Sequence, residues 1–219
     1  MNFNEDSGFD IEFLKSIPSR GSRYRYAQQF LTHLGEGSSR AAFAISDSKV
    51  LKLAINDRGE AQNRAEVRFG QKQHGIVANQ IQRTGSGFNI CTEILGFGSL
   101  YEYIIAERAS SFNDSSTDNL KEFLHLTGIE SLIHLYDLLY DVESDGTYEN
   151  VEQVQVSDTI VYMKKLPWVQ ALVRFVVQNG YGLPGDFSRI SSYGSIIRKG
   201  KQNIILVDYG FTPSVSMMY

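Results

Sequence analysis

The sequence predicts an α+β protein with two lobes: a small antiparallel sheet plus one helix, then a reduced, mainly helical second half. Three observations support this. Between residues 33 and 109 short apolar runs recur in the order strand, strand, helix, strand, strand. After the polar segment Ser110–Thr117 the apolar residues switch to helical spacing. A chain of 219 residues can bury one sizeable core or two small ones. The expected divisions are an N-terminal helical extension over 1–32, a sheet-plus-helix lobe over 33–109 and a helical lobe over 110–219.

The elements follow in chain order. Residues 9–17 and 23–32 read as short helices broken by Pro18 and Gly21. Ala41–Ile45, the polar turn Ser46–Lys49 and Val50–Ile55 read as a β-hairpin. Gly59 to Gln73 is rich in Ala, Gln, Glu and Arg, as suits a polar surface helix. Two strands follow, Asn89–Leu95 and Tyr101–Ala106, with Gly96–Ser99 as the turn between them.

In the second half Leu120, Phe123 and Leu124 share a helix face. Thr127-Gly128-Ile129-Glu130 has the form of a capping box opening a helix whose stripe is Ile129, Leu132, Ile133, Tyr136 and Leu139. The acidic stretch 141–158 is expected to be an exposed insertion. Pro167 suits a first helical position for Trp168–Gln178, closed by Asn179-Gly180. A final hairpin ends at Asp208.

Composition narrows the function classes. The net charge of −4 supplies no global attraction for nucleic acid or anionic lipid, and Arg20, Arg23 and Arg25 read as a solvated cluster. The single cysteine, Cys91, excludes an intrachain disulfide. No apolar run reaches the ~18 residues of a spanning helix, and the N-terminus is acidic. The expectation is a soluble, cytoplasmic protein with no membrane partner. His33, His74, His125 and His134 lack metal-ligand spacing with cysteine.

Several residues have chemistry to offer. Leu34–Phe43 contains Gly35 and Gly37, which let backbone N–H groups approach a phosphate, and Arg40, whose planar fork of donors suits one. Read alone, the segment is better taken as an unliganded Gly-Ser hairpin or loop. Lys52 lies within an apolar strand and needs an anionic partner if it faces inward; at a strand edge it would snorkel instead. Glu66 is the candidate partner, because Glu60 lies where the helix dipole already explains an acid. Glu66 as a plain solvated helix residue is the alternative. Asp186 could take or orient a hydroxyl proton. Asp208-Tyr209-Gly210 ends the apolar run Ile204–Val207, as an ordinary turn also would.

Taken together, the order Gly35/Gly37, Lys52, Glu66, Glu107, Asp186 and Asp208-Tyr209-Gly210 resembles the protein-kinase-like superfamily over residues 33–212. It looks closer to compact atypical members, such as aminoglycoside-phosphotransferase-like or RIO-like kinases, than to typical eukaryotic protein kinases. The run from Gly185-Asp186-Phe187 to Ile204–Phe211 is also similar to small kinase-like proteins of tailed bacteriophages. The resemblance implies a two-lobed fold with Mg-ATP in the cleft between the lobes. Lys52, held by Glu66, would contact the α/β-phosphates, and the backbone at Glu107 would pair with the adenine edge. Asp208 would bind the metal and Asp186 would act as base.

Three departures accompany the match. Arg40 stands at the third glycine, and Ser191 stands where a second metal-binding asparagine is expected. Only Phe211–Tyr219 follow the Asp-Tyr-Gly, so the substrate-seating half is expected to be truncated. Two functions follow from the resemblance: transfer of the ATP γ-phosphate to a hydroxyl acceptor, or a pseudokinase serving as a structural or protein-interaction module. The second implies an unidentified protein partner and, for a phage protein, a place in the host cytoplasm or the virion.

Overall fold

The structure, a computed structural model, describes residues 8–84, 89–145, 158–179, 187–198, 200–210 and 212–218. Asp186, the glycine-rich stretch before it, Gly180 and residues 146–157 of the acidic segment lie outside the described residues. The fold is α+β, in two compact units. One comprises Met1–Gln71, Thr92–Arg108 and Ser214–Tyr219; the other comprises Lys72–Cys91 and Ala109–Pro213.

The first unit opens with α1 (Ile11–Ser16) and α2 (Arg20–Phe30). Gly21 does not interrupt α2 as expected. The Ser19 side chain caps the helix by accepting from Ser22 N, so Gly21 falls in the first turn, where its amide owes no intrahelical bond. Five antiparallel strands follow: β1 (Thr32–Glu36), β2 (Arg40–Ala44), β3 (Lys49–Ala54), β4 (Ile94–Phe97) and β5 (Tyr103–Glu107), in the order β1-β2-β3-β5-β4. Between β3 and β4 runs the helix α3 (Asp57–Thr84), longer than the expected Gly59–Gln73.

Alternation along the strands divides the sheet into two faces. Ala41, Phe43, Leu51, Leu53, Tyr103 and Ile105 join Phe9, Ile11, Leu14, Ala27 and Leu31 in one buried cluster, so α1 and α2 cover this face. Ala42, Lys52 and Ile104 lie directly across from one another on the opposite face.

The strands differ from the expectation in several places, β5 running over Tyr103–Glu107 instead of Tyr101–Ala106. β1 was not anticipated: all five of its residues are exposed, so it has no apolar alternation to betray it. β4 starts at Ile94 and takes in Gly96 and Phe97, instead of ending at Leu95. Residues 90 and 91 belong elsewhere: Leu206 N donates to Ile90 O at 2.6 Å, and Cys91 forms a parallel bridge with Leu206.

The second unit contains α4 (Thr117–Thr127), α5 (Leu132–Asp145), α6 (Asp158–Met163) and α7 (Pro167–Asn179). Its three-stranded sheet, β6 (Ser110–Ser111), β7 (Tyr193–Arg198) and β8 (Lys201–Leu206), has the order β6-β7-β8. Phe123 packs edge-on against Phe112 and Trp168 and lies 5.2 Å from Tyr193, centroid to centroid. Trp168 Nε1 donates to Ile204 O at 3.0 Å, tying α7 to β8.

Thr127-Gly128 does not open α5. Gly128 adopts φ 76° as the left-handed cap of α4, and Ser131 Oγ accepts from Ile133 N at the start of α5. The buried face of α5 is Leu135, Leu138 and Leu139, while Ile133 is 71% exposed and Tyr136 41%. Of the expected stripe Ile129 and Leu139 are buried, but α5 carries apolar residues on more than one face, so spacing alone does not separate Leu135 and Leu138 from Ile133 and Tyr136.

Candidate functional site

α3 is seated by its first turns. Asn56 Oδ1 accepts from Gly59 N at 3.1 Å, while Asn56 Nδ2 donates to Ser38 O at 2.9 Å. A Cβ on Gly59 would lie 2.2 Å from Ser39 O, so glycine is what permits the helix to lie against the turn between β1 and β2. One turn further on, Ser39 Oγ donates to Gln62 Oε1 at 2.7 Å.

This seating carries Glu66 to the sheet face that bears Lys52 and Arg40. Gln62 and Asn63 precede Glu66 by four and three positions, so each neighbours it on the helix surface. Glu66 is fully buried. Lys52 Nζ donates to its Oε2 at 2.8 Å. Arg40 Nη1 approaches its Oε1 to 2.7 Å, an ion pair outside hydrogen-bond alignment. Arg40 Nη1 also donates to Asn63 Oδ1 at 3.3 Å, and Asn63 Nδ2 donates to Tyr101 O at 2.8 Å. Side-chain exposure is only 9% for Arg40 and 12% for Lys52. A carboxylate so placed requires cations, since burying it unpaired is strongly unfavourable.

The structure therefore brings Lys52, Glu66 and Arg40 together. The Lys52–Glu66 pairing was expected. The attachment of Arg40 to Glu66 was not, although hairpin pairing of Arg40 with Ala54 and of Ala42 with Lys52 could have revealed a shared face. Gly35 lies within β1 beside a register shift, and Gly37 N donates to Arg40 O at 2.9 Å to close the turn. A Cβ at either glycine would meet nothing within 4 Å, so no neighbouring atom of the chain demands glycine there. Glu107 ends β5, where its Oε2 accepts from Glu93 N at 3.3 Å and its own N–H donates to Glu93 O at 2.9 Å.

In the second unit Asp208 is exposed just past β8. Its N–H and that of Val207 donate to Ser192 O, at 3.3 and 2.9 Å. Tyr209 is buried, with its ring edge-on to Phe175 at 5.9 Å. The aromatic anchor and the carboxylate thus point to different environments.

Ser191 donates to Asp114 twice, from its N–H to Oδ1 at 3.0 Å and from its Oγ to Oδ2 at 2.5 Å. Asp114 was not singled out in the sequence, because it lies 77 positions from Ser191 and no local pattern links them. Burial pushes the Asp114 carboxyl up, but the two Ser191 donors and Arg189 outweigh it and hold it below its ordinary value.

Among the described residues no group of three or more His, Cys, Asp and Glu side chains could hold a metal ion. A magnesium ion that arrives with phosphates needs less, typically one or two carboxylates plus water, and Asp208 is a hard oxygen donor of that kind. Lys52 matches phosphate in charge, and no side chain at Gly35 or Gly37 covers the backbone there. Among the described residues no helix is long and apolar enough to cross a membrane. Comparison with known proteins finds no matching family model, no matching curated protein and no matching solved structure.

Proposed function

We propose that this chain is a kinase-like nucleotide-binding protein in which Lys52 contacts the phosphates of Mg-ATP, Glu66 orients Lys52 and Asp208 takes the metal. The observation that carries the reading is the 2.8 Å pair between Lys52 on β3 and Glu66 on the next helix. Protein kinases depend on a third-strand lysine paired with a glutamate of the following helix. A surface lysine would not need a fully buried carboxylate.

In the transferring form, the acceptor's hydroxyl oxygen bonds to the γ-phosphorus as the bond from that phosphorus to the β–γ bridging oxygen breaks. ADP leaves, and the hydroxyl proton passes to Asp186. Lys52 would neutralise phosphate charge as it shifts towards the leaving group. ATP and magnesium are thus the proposed ligands, with the Glu107 backbone as the proposed adenine contact and Gly35 and Gly37 as the cover over the phosphates.

A second reading is a pseudokinase that binds a protein partner, within the cytoplasm or a phage particle, without transferring phosphate. The Ser191–Asp114 pairing favours it. The side chain at the second metal position is already donating its hydroxyl hydrogen, and a neutral hydroxyl is a weak ligand for a hard cation.

Thermal melts with Mg-ATP, combined with γ-phosphate transfer assays, separate the readings. Ligand at 100 times its Kd stabilises by about 2.7 kcal/mol, which a melt resolves. The expected result is a shift in the wild type that is lost in Lys52→Met and Asp208→Ala. A shift without transfer, unaltered by Asp186→Ala, would select the pseudokinase reading. No shift with any nucleotide would reject nucleotide binding altogether.

A further inference from the structure

We infer that Arg40 is the positioning residue for Lys52: by holding Glu66 Oε1 it presents Oε2 to the lysine before any ligand arrives. The inference rests on the reading of Lys52 as the phosphate-contacting residue, and it concerns this chain's departure from the glycine pattern. Arg40 occupies the place of the third glycine, but its guanidinium lies against the helix carboxylate, 2.7 Å from Glu66 Oε1, with only 9% of the side chain exposed. Lys52 takes the other oxygen at 2.8 Å.

A carboxylate on a helix can rotate about its side-chain torsions, and one cation fixes only one of its oxygens. A second cation on the other oxygen fixes the plane. Asn63 completes the arrangement, since Arg40 Nη1 donates to its Oδ1 and its amide nitrogen reaches Tyr101 O. The guanidinium is therefore held from two helix positions, 63 and 66, and cannot follow a carboxylate that swings away. Both contacts come from the one nitrogen Nη1, so a lysine would keep the charge but lose the rigid guanidinium plane that aims that nitrogen.

The same strand end also bears the separate Ser39–Gln62 bond, 2.7 Å long, which fastens the turn to α3 without touching Glu66. The two attachments can be tested apart. Arg40 sets the direction of the Lys52 ammonium, whereas Ser39 contributes to docking alone.

The test is pulsed amine acylation of the full chain without ligand, with Lys52 and the exposed Lys201 quantified by mass spectrometry, in wild type, Arg40→Met, Arg40→Lys and Ser39→Ala. Releasing Glu66 is expected to raise Lys52 acylation about tenfold in Arg40→Met, the size of a typical coupling inside one ion-pair network. A rise of roughly threefold is expected in Arg40→Lys, which keeps a charge and loses the rigid guanidinium plane. Lys201 should not change, and Ser39→Ala should lower the melting temperature while leaving Lys52 at the wild-type rate.

Unchanged Lys52 acylation in both Arg40 variants overturns the inference. So does an equal rise in Ser39→Ala, which would mean that any loosening of α3 suffices. If Arg40→Met does not fold, Arg40→Lys decides. Melts of the same variants with Mg-ATP distinguish the two levels of the reading. A faster Lys52 together with no nucleotide shift in the wild type keeps the positioning role and rejects nucleotide. A nucleotide shift of wild-type size in Arg40→Met, with Lys52 acylation unmoved, rejects the positioning role and keeps nucleotide binding.

Discussion

Glu66 has no exposed side-chain surface, and its two oxygens go to different cations. Removing such a carboxylate differs from removing a surface pair, which contributes about 0–1 kcal/mol. The Lys52 ammonium and the Arg40 guanidinium would keep their desolvation cost and lose this anion. Glu66→Ala is therefore expected to destabilise the protein by about 3–5 kcal/mol. Urea denaturation measures this without the ionic screening that guanidinium salt would add. A loss below about 1 kcal/mol would mean that water or rearranged neighbours replace the carboxylate, and would count against a built site. The sequence pointed to Lys52 and Glu66 through residue type alone, a charge within an apolar strand and an acid too far along its helix for a dipole role. Arg40 looked like a hydrogen-bond donor to phosphate because nothing local ties it to a residue 26 positions away, and the burial that binds it to Glu66 is a tertiary fact.

At the scale of elements, α3 decides whether Glu66 arrives at all. Its first turn fits because Gly59 has no side chain: a Cβ there would stand 2.2 Å from Ser39 O and 2.9 Å from Ala54 Cα. Both contacts are with backbone, which cannot swing aside as a flexible side chain would. Gly59→Ala, a favourable change in an isolated helix, is expected to cost about 1–3 kcal/mol here through overpacking. A calorimetric melt checks the sign, and an alanine that stabilises would show that α3 does not dock at this residue. Local pattern found the β2–β3 hairpin, the start of α7 at Pro167 and the final hairpin, where adjacent residues determine the geometry. It missed β1, which has no apolar alternation, and the role of Gly128, where capping-box spacing and a left-handed cap compete for the same residues.

For the whole molecule, stability towards acid depends on carboxyls held below their unfolded values, and Asp114 is one. Burial raises its pKa, but the Ser191 hydroxyl and amide and the Arg189 guanidinium lower it further, to a net value beneath its ordinary 3.8. A carboxyl depressed in the folded state adds stability that is complete above its unfolded pKa of about 4 and is lost as pH falls through the folded value. The urea midpoint of wild type should thus exceed that of Asp114→Asn by a constant margin from pH 8 to pH 5, and the margin should shrink below about pH 4. A margin that persists undiminished at pH 2 would mean that the pairing with Ser191 does not act through charge.

Strand alternation and helix periodicity operate over a few residues, so the α+β class and the hairpin that carries Lys52 were legible in the chain, with Glu66 as a candidate partner. Only the tertiary structure decided that α1 and α2 cover one sheet face, that Arg40 shares Glu66 with Lys52, and that Asp114 holds Ser191. Those contacts join residues far apart in the chain. They form when burial removes water from charged and hydroxyl groups and leaves each to find whichever partner the packing brings within reach.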